Sequence, residues 1–109
     1  MSGNKAITLS GFDAANPTST MQVSDLPIPT AGPGEVVVNL TLRPVNPADI
    51  FSLMGVYPGF QPKEGVTPIP GIEGVGVVHS VGEGVTKVAV GQRVTGTPFN
   101  TIHGGTGTW

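Results

Sequence analysis

The sequence predicts a small, mainly β domain that folds as a partly open β-barrel with one or two short helices. First, 17 glycines and 11 prolines lie between runs of β-branched residues and show no repeat, which is typical of an all-β domain with many tight turns. Second, residues 35–42 alternate between apolar and mixed positions, whereas a helix signature occurs only once. At 109 residues the chain holds one domain at most.

The strand prediction is strongest at Glu35–Leu42. We expect its apolar face to belong to the core, because a half-buried strand has a period of two residues. The members of that face are Val36, Val38, Leu40 and Leu42. Further strands are predicted at Ala6–Leu9, Met21–Leu26, Gly71–Val81 and Gly91–Thr95. The glycines within Gly71–Val81 indicate bulges or a close approach of another backbone segment.

A short helix is predicted between Asn46 and Gly55. Asn46 is a favourable N-cap, Pro47 suits the first helical position, and Asp49 can reach back to the cap amide. Gly55 ends the helix, and residues 55–70 form a connection that we expect to line a cleft, since long loops in compact domains are usually functional or disordered. The spacing i, i+3, i+4 predicts a buried stripe of Ile50, Leu53 and Met54.

The composition argues against several classes of function. Five Lys and Arg residues and a net charge of −2 give no basic surface for a phosphate backbone, so nucleic acid is not an expected partner. Cysteine is absent, which excludes thiolate zinc ligands and a cysteine nucleophile. No apolar run approaches the roughly 20 residues that span a membrane, and the N-terminus lacks a signal-peptide core. We expect a protein that is not secreted, in the cytoplasm or mitochondria, without a membrane partner.

Neither the glycines nor the histidines predict a cofactor site. The glycines between residues 71 and 84 lack the order Gly-x-Gly-x-x-Gly, and no helix pattern follows them. His79 and His103 have no second ligand at metal-binding spacing, so we expect no metal site. Glu73 lies in an apolar run, where the alternatives are an outward-facing carboxylate or an ion pair with Arg43 or Arg93.

Two residues that flank the predicted helix are candidates for chemistry. Tyr57 is the only tyrosine. It is either a half-buried aromatic that covers the barrel mouth, or a donor of a proton or hydrogen bond to a carbonyl or enolate oxygen. Asn46 caps the helix and could also offer its amide to a ligand. We expect the two side chains to lie beside each other.

Four motifs resemble the GroES-like catalytic domain of the medium-chain dehydrogenase/reductase superfamily in order and spacing. They are Val45-Asn46-Pro47-Ala48-Asp49, Gly55-Val56-Tyr57, Pro70-Gly71-Ile72-Glu73-Gly74 and Val90-Gly91-Gln92-Arg93-Val94. Zinc-dependent members carry a cysteine ligand at the position of Asn46 and a histidine ligand at that of Ile72. The chain therefore resembles the zinc-independent branch of quinone oxidoreductases and 2-enoyl thioester reductases.

The resemblance implies an NADPH-dependent oxidoreductase that reduces a conjugated enoyl or quinone substrate without zinc. It implies Tyr57 as the catalytic proton donor, with Asn46 and Ile72 in the substrate and cofactor cleft; enoyl reductases often have asparagine where Ile72 stands. Residues 1–109 would form an incomplete GroES-like domain without the Rossmann cofactor domain. Such a fragment would bind no NADPH and be inactive, and a homodimer is compatible with the family. The alternative is a stand-alone GroES-like binding or assembly module without catalysis.

Overall fold

The computed structural model describes residues 3–58, 60, 64–96 and 107–109. They form a mainly β architecture of two antiparallel sheets with one α-helix and a single 3-10 turn, which confirms the predicted fold class. Among the described residues the two sheets stay separate, so the barrel is open. In the same ranges no helix combines the length and the apolar character that crossing a membrane requires.

The first sheet pairs two strands and the second sheet pairs three. The first contains β1 (Asn4–Leu9) and β2 (Met21–Leu26), and the second has the order β3 (Val36–Leu42), β4 (Gly74–Val81) and β5 (Arg93–Gly96). All five predicted strands form. The largest difference lies at the start of β4, where Gly71 adopts φ +100°, a left-handed conformation that interrupts the extended chain.

The predicted core face of β3 is wrong at Val36 and Leu42, whereas Val38 and Leu40 of that face are half-buried. Val37, which lies on the other face, is only 9 % exposed, whereas Val36 and Leu42 are 38 % and 68 % exposed. The pairing of β3 with β4 shifts register between Val37 and Val38 and again between Leu40 and Leu42. Each irregularity breaks the alternation of side chains, so a period of two cannot be carried along the whole strand.

Helix α1 (Pro47–Met54) begins and ends where the sequence predicts. Asn46 is extended at the N-cap, with φ −106° and ψ 158°, and Asp49 accepts a hydrogen bond from its backbone N–H. Gly55 adopts φ +82° at the C-cap, and its N–H donates to the carbonyls of Phe51 and Ser52. The helix is therefore bounded by signals that lie within a few residues of each end.

The buried face of α1 differs from the prediction. Asp49, Ser52 and Leu53 are buried, whereas Ile50 is 37 % exposed, so the predicted stripe is wrong at Ile50. Each of the two buried polar side chains has a local partner, although Oδ1 of Asp49 has none among the described residues. Ser52 Oγ donates to the carbonyl of Ala48 at 2.8 Å, and Asp49 accepts from the N-cap.

The hydrophobic core around α1 is small. Its centre is Leu9 of β1, Leu53 of α1 and Phe60 of the following loop, each at most 4 % exposed. Partly buried side chains surround this centre: Phe12, Met21, Tyr57 and Trp109. The rings of Phe12 and Phe60 meet edge to face with centroids 6.1 Å apart. The core thus joins the first sheet to the helix.

Residues 107–109 connect the first sheet to the loop before β4. The N–H of Ile7 in β1 donates to the carbonyl of Trp109 at 3.1 Å. On the other side, the N–H of Thr108 donates to Gly71 at 3.1 Å and that of Trp109 donates to Pro70 at 3.0 Å. A Cβ at Gly71 would collide with Thr108 and Trp109, so only glycine fits this close approach.

Candidate active site at the start of helix α1

The structure brings an amide and two carboxylates together at the N-terminal end of α1. Asn46 precedes the helix, and Glu73 directly precedes β4. Nδ2 of Asn46 donates to Oε2 of Glu73 at 2.9 Å, and the backbone N–H of Asn46 donates to Oδ2 of Asp49 at 2.7 Å. Asn46 is thus held through its side chain by Glu73 and through its backbone by Asp49.

Asp49 is fully buried, and its surroundings favour the neutral carboxyl group. Burial, the largest effect, raises the pKa of Asp49 above its ordinary value. Hydrogen bonds from the backbone N–H groups of Asn46 and Ile72 oppose this rise, and the negative charge of Glu73 adds to it. Asp49 is thus held by the backbone N–H of Asn46, and the backbone of Ile72 lies near enough to affect its pKa.

Glu73 adopts neither of the arrangements that the sequence left open. It is half-buried rather than outward-facing, and its partner is the amide of Asn46. Arg43 Nε instead donates to the carbonyl of Thr108. The backbone of Glu73 is also held, because the Thr108 hydroxyl donates to its carbonyl at 2.9 Å. Within the described residues, the salt bridge is the one between Lys5 and Asp25 at 2.6 Å, and Glu73 takes no part in it.

Tyr57 lies beyond the opposite end of α1 from Asn46. It is half-buried and packs against the core of Leu9, Leu53 and Phe60, and the N–H of Phe60 donates to its carbonyl at 3.1 Å. An eight-residue helix, about 12 Å long, separates the two positions along the chain. The placement of the ring agrees with the half-buried alternative, and the role of the hydroxyl stays a prediction.

Two cavities lie beside β1, and the sequence did not predict them. One, of about 540 Å³, lies between the sheets; the other, of about 550 Å³, is shallower and mostly apolar. Arg43 and Trp109 line both, and His79 lines the first. Asn46, Tyr57 and Ile72 line neither of these two cavities. The residues that line each cavity are far apart in sequence, so no local motif could have indicated the cavities.

The donor atoms at the site do not fit a zinc ion. Position 72 offers only an isoleucine side chain, and Asn46 uses its amide nitrogen as a donor to Glu73. In the ranges that the structure describes, no group of three His, Asp or Glu side chains could hold a metal. The glycines also do not match a phosphate cradle, since Gly74 and Gly76 lie inside β4 and no helix follows them within residues 82–96.

Sequence comparison identifies the family. Residues 32–108 match the family model of the alcohol dehydrogenase GroES-like domain, so the chain belongs to this family. It is 41 % identical over 75 residues to an alcohol dehydrogenase of Moraxella sp. (strain TAE123). This alignment covers 69 % of this chain and 21 % of that protein. It is 36 % identical over 112 residues to a mitochondrial enoyl-[acyl-carrier-protein] reductase of Eremothecium gossypii, which covers 96 % of this chain and 28 % of that protein.

Structure comparison agrees with this assignment. A solved complex of Etr1p with NADP and crotonyl-CoA matches with a TM-score of 0.71 and 27 % identity, over 89 % of this chain and 29 % of that one. Quinone oxidoreductases are also among the matching structures. The resemblance to the medium-chain dehydrogenase/reductase superfamily is thereby confirmed. The chain spans less than a third of the length of these relatives.

Proposed function

We propose that the chain is the N-terminal, substrate-binding part of an NADPH-dependent, zinc-independent reductase that acts on a conjugated enoyl thioester. The observation that carries this proposal is the hydrogen bond between Asn46 and Glu73. It places an amide, and not a metal ligand, at the start of α1. A solved relative that contains NADP and crotonyl-CoA supports the coenzyme and the substrate class, and the mitochondrial enoyl reductase supports the substrate class.

In this proposal each site residue has a separate task. A nicotinamide coenzyme bound by the longer protein would be the source of the hydride that reduces the conjugated double bond. Tyr57 holds a proton on its phenolic oxygen and delivers it to the α-carbon, after which solvent restores the phenol. Asn46 donates an amide hydrogen to the thioester oxygen, where negative charge develops. Ile72 contributes apolar surface that keeps water from the reacting carbons.

We further propose that the coenzyme site lies outside these 109 residues. The described glycines form no phosphate cradle, and the chain matches less than a third of each reported relative. These residues alone would then be inactive because they lack a source of hydride. The expected result is NADPH oxidation by the longer protein that carries this segment and none by residues 1–109.

Replacing Tyr57 by phenylalanine in that longer protein tests the proposal. Crotonyl-CoA and a benzoquinone serve as substrates, and NADPH absorbance reports turnover. We expect the Tyr57→Phe variant to lose about 10²-fold or more in kcat, the lower range for a general acid, with unchanged melting temperature. Val90→Ala is the control, since Val90 is 62 % exposed in the turn before β5.

Two results would overturn parts of the proposal. Turnover by the Tyr57→Phe variant at the wild-type rate would remove the phenol from the mechanism. Reduction of the quinone without reduction of crotonyl-CoA would replace the substrate class. A chain that forms a defined oligomer and oxidises no NADPH with either substrate would favour the stand-alone binding module.

A further inference from the structure

The orientation of the Asn46 carboxamide is fixed by a residue that the proposed mechanism does not use. A primary amide can turn over and exchange its oxygen and its nitrogen at little steric cost. A carboxylate only accepts hydrogen bonds, so Glu73 can pair with the nitrogen side alone. The 2.9 Å contact from Nδ2 to Oε2 therefore selects one of the two orientations. Because the acceptor is charged, this hydrogen bond is stronger than one between neutral groups.

Glu73 is itself held in place from two directions. The Thr108 hydroxyl donates to its carbonyl at 2.9 Å, and the N–H of Thr108 donates to the carbonyl of Gly71 two residues earlier. Asp49, which is fully buried, accepts from the backbone N–H of Asn46 at 2.7 Å. The carboxylate that faces Asn46 is thus anchored through its own backbone.

Asn46 keeps one amide hydrogen for a ligand in this arrangement. Its Nδ2 carries two hydrogens, and Glu73 takes one. Asn46 is half-buried rather than enclosed. The second N–H suits an oxygen that gains negative charge, such as the carbonyl oxygen of a thioester during reduction.

We propose that Glu73 is a positioning residue, which holds the Asn46 carboxamide so that its second amide hydrogen is directed at the carbonyl oxygen of the substrate. This inference rests on the proposed function and adds to it a residue that does not touch the substrate. A purely structural Glu73 would stabilise the loop before β4 without affecting how Asn46 acts. The two roles differ in measurable ways.

The first test observes Asn46 directly in the 109-residue chain. The side-chain amide resonances of Asn46 are followed by ¹⁵N NMR in the wild type and in the Glu73→Ala, Glu73→Gln and Glu83→Ala variants. We expect Glu73→Ala to shift them and bring them close to those of a solvent-exposed asparagine. Glu73→Gln retains an acceptor oxygen and should preserve most of the wild-type shift. Glu83 is an exposed glutamate in a turn and serves as the matched control.

The second test measures crotonyl-CoA reduction in the longer protein. Glu73→Ala should lower kcat by roughly tenfold to a hundredfold with little change in KM, since misplaced groups fail mainly in the transition state. Glu73→Gln should recover most of the rate. In the double variant with Asn46→Ala, the Glu73→Ala change should cause no further loss of kcat, because both changes act through the same hydrogen bond.

The outcomes separate this inference from the proposed function. Unchanged Asn46 resonances in the Glu73→Ala variant, or rate losses that multiply in the double variant, would overturn the positioning role. If Glu73→Ala shifts the resonances but the wild type reduces no enoyl thioester, the proposed function fails and the contact between Glu73 and Asn46 stands without a role in that reaction.

Discussion

The side chain of Asp49, although fully buried, accepts a 2.7 Å hydrogen bond from the backbone N–H of Asn46. This contact satisfies a donor at the start of α1 that the helix itself cannot pair. It also fixes the backbone of the residue whose side chain meets Glu73. The start of the helix and the candidate site therefore depend on the same carboxyl group.

Removing the Asp49 side chain should destabilise the chain more than removing an exposed carboxylate. We expect Asp49→Ala to lower the free energy of unfolding by about 1–3 kcal/mol, because the half-buried N–H of Asn46 loses its acceptor. Asp49→Asn retains an acceptor and should cost less. Urea unfolding measures both. Asp25→Ala, which breaks only the exposed bridge to Lys5, should cost at most about 1 kcal/mol; equal losses for Asp49→Ala and Asp25→Ala would contradict the prediction.

The pH dependence of stability should carry opposite contributions from two aspartates. Burial raises the pKa of Asp49, so the folded chain binds its proton more tightly than the unfolded chain. The contribution of Asp49 is full below the unfolded pKa of about 4 and is lost as pH rises through the folded pKa. Hydrogen bonds from the N–H groups of Asn16 and Ala15 lower the pKa of Asp13. The contribution of Asp13 to stability is present above the unfolded pKa and is lost as pH falls through the folded pKa.

Unfolding experiments between about pH 3 and pH 7, which bracket the ordinary aspartate pKa, separate the two contributions. Relative to the wild type, Asp49→Asn should gain stability as the pH rises. Asp13→Asn should instead lose less stability than the wild type as the solution becomes acidic. A wild-type profile that stays parallel to both variants across this range would refute both assignments.

Two glycines in the turn after β4 should respond differently to alanine. A Cβ at Gly82 would overlap the backbone carbonyl of Gly32 and lie 3.1 Å from that of Glu35. We expect Gly82→Ala to cost roughly 3 kcal/mol or more, because backbone atoms cannot move aside easily. Gly84 has free space but a φ of +82°, so Gly84→Ala should cost only about 1–2 kcal/mol. Thermal unfolding measures both, and a larger loss at Gly84 would contradict the expected order.

The small core should make Leu53 unusually important for stability. Its side chain is 1 % exposed and contacts the centre of the core, so Leu53→Ala should cost about 2–5 kcal/mol. Leu42 is the same residue type at 68 % exposure and provides the control. We expect Leu42→Ala to stay within about 0.5 kcal/mol of the wild type. Equal losses for the two variants in urea would show that the core lies elsewhere.

The features that the sequence predicted correctly, the bounds of α1 and the strands, are set by residues close to them in the chain. The bounds of α1 follow from Asn46, Pro47, Asp49 and Gly55, whose effects act within one turn of the helix. The strands also followed from local composition and alternation. These features require no knowledge of which segments meet in the folded chain.

The misplaced features depend on contacts between distant segments. The predicted face of β3 was wrong at Val36 and Leu42 because register shifts against β4 change the alternation. The partner of Glu73 could not be predicted because Asn46 lies 27 residues away. Tyr57 was correctly placed after the helix, but its packing against Leu9 depends on how β1 meets α1. His103, for which the sequence predicts no metal site, lies outside the described residues.

The bond from Ile7 to Trp109 joins two segments that are far apart in sequence and leave the ribosome at very different times. β1 precedes residues 107–109 by about a hundred positions, and on its outer edge the N–H of Leu9 can pair with Pro68 before the N–H of Ile7 gains its partner in Trp109. Because the Thr108 hydroxyl also fastens Glu73, the cluster around Asn46 matures only at that late moment. A translational pause before Thr108 would leave an open strand edge available to neighbouring nascent chains, and a chaperone that shields β1 during this interval would raise the yield of native protein.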